Sequence, residues 1–81
     1  MKRKCLYVVT QTYVDFIDKS VETFVKGISE ELDGAKSIMN SLYEKKLEKG
    51  YYKDHFELNL WEWIYKSDCW MIKSEINTIY V

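Results

Sequence analysis

Residues 29–50 read SEELDGAKSIMNSLYEKKLEKG, and the fold turns on how this stretch is taken. Leu32, Ala35, Ile38, Met39, Leu42, Tyr43 and Leu47 recur at spacings of three and four, the period of one helical stripe. Ser29 or Asp33 can cap the start, and Glu30, Glu31 and Asp33 put negative charge at the positive end of the helix dipole. Lys45, Lys46 and Lys49 gather at the opposite end, and Gly50 follows as a left-handed stop. Period, caps and charge agree on one long helix.

The period differs on both sides of it. Residues 4–14, KCLYVVTQTYV, are β-branched and aromatic and read as a strand. DFIDKS, residues 15–20, supplies turn formers, and VETFVKGI, residues 21–28, reads as a second strand, so the connection predicts an antiparallel hairpin. After the helix, YYKDHFE (51–57) reads as a connection with aromatic anchors. Residues 58–66 and 69–80 then read as two strands hinged at Ser67 and Asp68.

That hinge sets Tyr65 opposite Trp70, Trp63 opposite Ile72, Trp61 opposite Ser74, and Glu62 opposite Lys73, an attractive cross-strand pair. One face of the hairpin then carries Trp61, Trp63, Tyr65, Trp70, Ile72 and Ile76 and is the face able to pack on the helix. The other carries Leu60, Glu62, Ile64, Met71, Lys73 and Glu75. The expected fold is α+β: one domain over residues 1–81, a four-stranded antiparallel sheet in the order β-β-α-β-β, and one long helix on one face.

Composition fits a small folded domain. A chain of 81 residues buries only roughly 60–65% of its unfolded surface, so bulky side chains must compensate. Here 16% of residues are aromatic, and each can bury on the order of 150–250 Å². Hydrophobic content of 47% beside 31% charge argues against disorder.

Formal net charge is −1, which lacks the basic excess that phosphate neutralisation demands of a nucleic-acid binder. The cluster Lys2, Arg3 and Lys4 has no apolar run behind it, because Thr10, Gln11 and Thr12 intervene, so no secretion signal is expected. No window is apolar enough for a membrane span, and a cytoplasmic location is expected. Cys5 and Cys69 stand alone without CxxC spacing and read as reduced thiols, able to pair only if the first and last strands bring them into range.

Searches for chemistry lead nowhere specific. The single histidine, His55 in KDHFE, has Asp54 and Glu57 beside it but no metal-site spacing, and no base is placed next to a nucleophile. Gly27, Gly34 and Gly50 are isolated, so no phosphate loop forms. Glu62 and Glu75 are close but have Lys73 between them, which reads as a charged ladder. The acidic residues Asp15, Asp18, Glu22, Glu30, Glu31 and Asp33 read as solvated surface charge. No catalytic residue, metal or cofactor is expected, and the chain reads as no enzyme.

A single helix leaves one sheet face uncovered, and apolar faces of that size are usually occupied. The functional expectation is a non-enzymatic protein-binding module that meets another protein or itself, as a homo-oligomer, through Leu60, Glu62, Ile64, Met71, Lys73 and Glu75. One Ala, one Arg and no Pro beside many Lys, Ile and Tyr suggest an AT-rich genome. Small size and that bias suit a phage or mobile-element accessory protein that inhibits a host defence enzyme by occupying its surface. The alternative is a homo-oligomer that binds or sequesters a nucleotide-like small ligand around Tyr51, Tyr52, Lys53 and His55.

Overall fold

The structure is a computed structural model, and it describes residues 4–81. Of the basic cluster Lys2, Arg3 and Lys4, the first two lie outside the described residues. Strands β1 (Cys5–Asp15) and β2 (Ser20–Ser29) form the first hairpin, and α1 (Leu32–Glu48) follows. A 3₁₀ turn (Lys53–His55) leads into β3 (Phe56–Leu58), β4 (Glu62–Lys66) and β5 (Trp70–Tyr80). The fold is α+β, with one helix packed on an antiparallel sheet of order β2-β1-β5-β4-β3.

The sheet has five strands where four were expected. Phe56 is the cause: it packs edge-on against Tyr43 of the helix at 4.8 Å and against Tyr65 at 4.7 Å, which draws FEL into the sheet beside β4. The expected strand 58–66 is broken by a turn, closed where the Asn59 amide donates to the Glu62 carbonyl at 2.8 Å. Leu60 therefore sits at a hairpin tip, and Leu58, paired with Trp63, belongs to the helix side of the sheet.

The β4–β5 register is also shifted. Ser67 donates to the Trp70 carbonyl at 2.9 Å, which moves the turn to Asp68 and Cys69. Trp63 consequently faces Ser74, Tyr65 faces Ile72, and Glu62 faces Glu75 where Lys73 was expected. The displacement leaves every residue of β4 and β5 on its anticipated face, because each partner moves along β5 by two residues, a whole pleat repeat.

Helix α1 begins and ends close to the predicted positions, but its start is built differently. Glu31 is the N-cap residue and makes no side-chain cap; Ser29 Oγ instead accepts from the Glu31 amide at 3.1 Å and donates to the Glu31 carbonyl at 2.8 Å. At the far end Gly50 has φ +95°, the left-handed conformation its identity suggested.

The apolar stripe of α1 meets the sheet through a core of Val9, Ala35, Met39, Trp63, Tyr65, Ile72 and Ile76. Trp63 is the pivot, with its indole Nε1–H donating to the Met39 carbonyl at 3.0 Å. Of the three tryptophans only Trp63 is fully buried: Trp70 is half-buried, stacked on Tyr65 at 5.2 Å, and Trp61 lies near the β3–β4 tip, 39% exposed. Gly27 lets the helix approach β2, since a Cβ there would stand 2.7 Å from Ile38 Cδ1.

Candidate functional site

Five of the six residues expected to form a binding face come together on the helix-free side. Glu62 and Ile64 of β4 lie beside Met71, Lys73 and Glu75 of β5, and Leu60 is absent from that face. At its centre the Lys73 ammonium sits 3.4 Å from both the Glu62 and Glu75 carboxylates. Glu75 first, then Glu62, raises the Lys73 pKa above the ordinary lysine value. The register that sets two glutamates opposite one another is made tolerable by the lysine lying diagonally between them. Ile64 and Met71 around this trio are half-buried, so the β4–β5 part of the face is charged at its middle with modest apolar flanks.

The apolar surface lies elsewhere. On β2 the side chains of Val21, Phe24, Val25 and Ile28 are exposed, and Phe16 and Ile17 are exposed at the hairpin tip. Val21, Val25 and Ile28 pair with Val14, Thr10 and Val8 on the helix-free side. The register slips between Val9 and Thr10, where Lys26 is the extra residue of a β-bulge. Beyond β2 no strand follows in the sheet, so its outer backbone edge is unpaired among the described residues. The tip is held by Asp15, whose carboxylate accepts from the amides of Ile17 and Asp18 at 2.9 and 3.1 Å.

The residues suspected of ligand binding do not converge on one cavity. Tyr51 packs edge-on against Tyr65 at 5.0 Å and Trp70 at 5.8 Å, and His55 stacks on Tyr65 at 5.6 Å. Tyr52 leans on His55, and Lys53 is exposed within the 3₁₀ turn. These contacts pin the connection to the sheet. Leu58 and Leu60 meanwhile line a groove of about 270 Å³ with Met39, Tyr43 and Trp63.

Periodicity gave no sign of a polar line beneath the helix. Gln11 and Ser74 face each other across β1 and β5, both essentially inaccessible, with Gln11 Nε2 donating to Ser74 Oγ at 3.0 Å. The Tyr13 hydroxyl donates to Gln11 Oε1 at 2.7 Å and accepts from the Lys46 ammonium at 3.2 Å. The line is fully satisfied: no buried side-chain polar atom among the described residues lacks a partner. Its one legible trace was Lys46, which falls four residues after Leu42 on the buried stripe, where an uncharged residue would be expected.

The cysteines lie at opposite ends of the central strand pair. Cys5 faces Tyr80, while the Cys69 carbonyl accepts from Phe16 beyond the other end of β1, and both thiols are free. Cys5 also raises the pKa of the Tyr7 phenol, two residues along the same face, with burial and Tyr80 adding less. Among the described residues no three of His, Cys, Asp and Glu are grouped as metal ligands, and no helix is long and apolar enough to cross a membrane.

These features define a small α+β domain with one helix-covered sheet face and one open face. No family model, curated protein or solved structure matches the chain.

Proposed function

We propose that this chain is a non-enzymatic protein-binding module whose docking surface is the β2 end of the open sheet face. The observation that carries the reading is the exposure of Val21, Val25 and Ile28 on the open face of one strand whose outer edge is also unpaired. Exposed apolar side chains beside free backbone donors and acceptors suit a partner that adds an extended, β-branched segment to the sheet. Ser20–Val25 is the regular run available to it, because the bulge at Lys26 interrupts the edge. The surface expected at Ile64 and Met71 thus moves to the other end of the same face.

In the proposed setting the chain acts in the cytoplasm as an accessory protein of a phage or mobile element. It would inhibit a host enzyme by occupying its surface, a role supported by small size and AT-biased composition. Light scattering across a concentration series tests first whether the added strand comes from a second copy. Capture of a partner is then compared among the parent chain, Val25→Asp and Ile64→Asp. Loss with Val25→Asp and retention with Ile64→Asp is the expected result, and equal capture by all three ends the proposal.

A further inference from the structure

The C-terminal end of α1 and the inner face of β1 and β2 enclose a recess of about 300 Å³, lined by Gln11, Tyr13, Lys26, Leu42, Lys45, Lys46 and Lys49. Four of the chain's basic residues face this one space in a protein of net charge −1. Three sit at a helix C-terminus, where lysines ordinarily offset the dipole, but that end carries only about −0.5 of a charge. Lys26 comes from a different element altogether, so complementing the dipole does not account for the group.

None of the four is neutralised by a carboxylate. The ion pairs among the described residues engage Lys4, Lys66 and Lys73. Glu22, the nearest acidic residue along β2, shares a neighbouring hollow with Lys26 but forms no ion pair with it. Aromatic faces hold two of the ammonium groups instead. Lys46 Nζ lies 5.3 Å from the Tyr13 ring centre and 5.1 Å from that of Tyr51, and Lys26 Nζ lies 5.5 Å from that of Phe24. A ring face positions a cation without cancelling its charge. The Tyr13 hydroxyl, committed to Gln11, uses one N–H of Lys46 and leaves two for a ligand.

We propose that this recess binds a small phosphorylated anion carrying two or more negative charges. Lysine acts on phosphate as a point charge, and four such charges suit a multivalent ligand better than a single carboxylate, which would leave most of them unopposed. The volume stands at the lower end for small-ligand sites, which fits a diphosphate or a compact phosphate ester. The recess lies on the helix side of the sheet, opposite the docking face, although Lys26 belongs to the same strand β2.

Inorganic pyrophosphate titrated into the protein at low salt, followed by two-dimensional amide NMR, tests this. Saturable shifts centred on Lys26, Leu42 and residues 45–49 are expected. The double variant Lys26→Gln/Lys49→Gln, at two exposed positions, should weaken binding by about tenfold or more, since loss of one ion–ion contact is of that order. A control pair, Lys19→Gln/Lys66→Gln, should stay within about twofold of the parent. Shifts that never saturate, or equal losses in the recess and control pairs, would overturn the proposal, and Lys45→Gln supplies a second recess variant if the first pair alters the amide spectrum of the free protein.

Discussion

The two ends of the sheet are built from similar residues and treated oppositely. Around Trp63, the strands β4 and β5 lie under α1, and Trp63, Tyr65, Ile72 and Ile76 are all at most 7% exposed. On β2, Val21, Val25 and Ile28 are each at least 60% exposed although they are no less apolar. The helix explains the difference. It packs on β2, β1 and β5, but on one face only, so Val21, Val25 and Ile28, which project from the other face at the sheet's edge, stay bare. Burial here follows which face the helix covers more than the hydrophobicity of the strands. The bare face of the edge strand β2 is therefore the surface available for a partner.

The largest test of that contrast is the same truncation made at each end. Trp63→Ala removes the pivot and its bond to the Met39 carbonyl, and should cost about 3–5 kcal/mol in urea denaturation. Phe24→Ala on β2 should cost no more than about 1 kcal/mol, because the ring is already 44% exposed. Equal costs would mean that the hairpin is as much core as the covered end.

A smaller effect tests a place where the helix presses on β2. Gly27→Val should destabilise by about 1–3 kcal/mol through collision with Ile38. The loss should shrink when Ile38→Ala is added, a coupling that a double-mutant cycle reads directly. A loss unaffected by Ile38 would place the constraint in the bulged backbone instead.

Weaker again is the charge trio on the open face. Lys73→Gln should cost up to about 1 kcal/mol near neutral pH, discounted because about a third of the side chain remains accessible. The folded pKa of Lys73 is raised, first by Glu75 and then by Glu62, so its contribution is present in full below the ordinary lysine value. That contribution fades as pH rises through the raised folded value. The difference between parent and variant should thus close in alkaline urea titrations, and a gap that widens there contradicts the assignment. Least of all should reductant matter: Cys5 and Cys69 lie at opposite ends of the β1–β5 pair, so the thermal midpoint should be the same with and without it.

What could be read in advance was whatever had a strong period or a chemical stop. The α1 stripe, Gly50 and the face assignments of Trp63, Tyr65 and Ile72 all declared themselves locally. The fifth strand did not, because FEL has only three residues and owes its place to Phe56 finding Tyr43, a contact invisible to pattern. The turn at Asp68 and Cys69 was missed by one position, since Ser67 and Asp68 are equally good turn formers. Leu60 left the expected face because Asn59 begins a turn inside an otherwise strand-like run. Lys45, Lys46 and Lys49 were legible as charges at a helix end, but Lys26 joins them only through tertiary structure.

The position of β5 between β1 and β4 has a consequence for synthesis. Cys5 pairs with Tyr80 and Asp15 with Trp70, so the central column of the sheet joins segments from opposite ends of the 81-residue chain. While a ribosome is still adding residues 70–80, the nascent chain can form a hairpin and a helix, but the inner edge of β1 has no neighbour. Such long-range closure makes folding slow for the size of the domain and leaves two sticky strand edges waiting together. Exposure on β2 is permanent, whereas exposure on β1 lasts only until the last strand arrives.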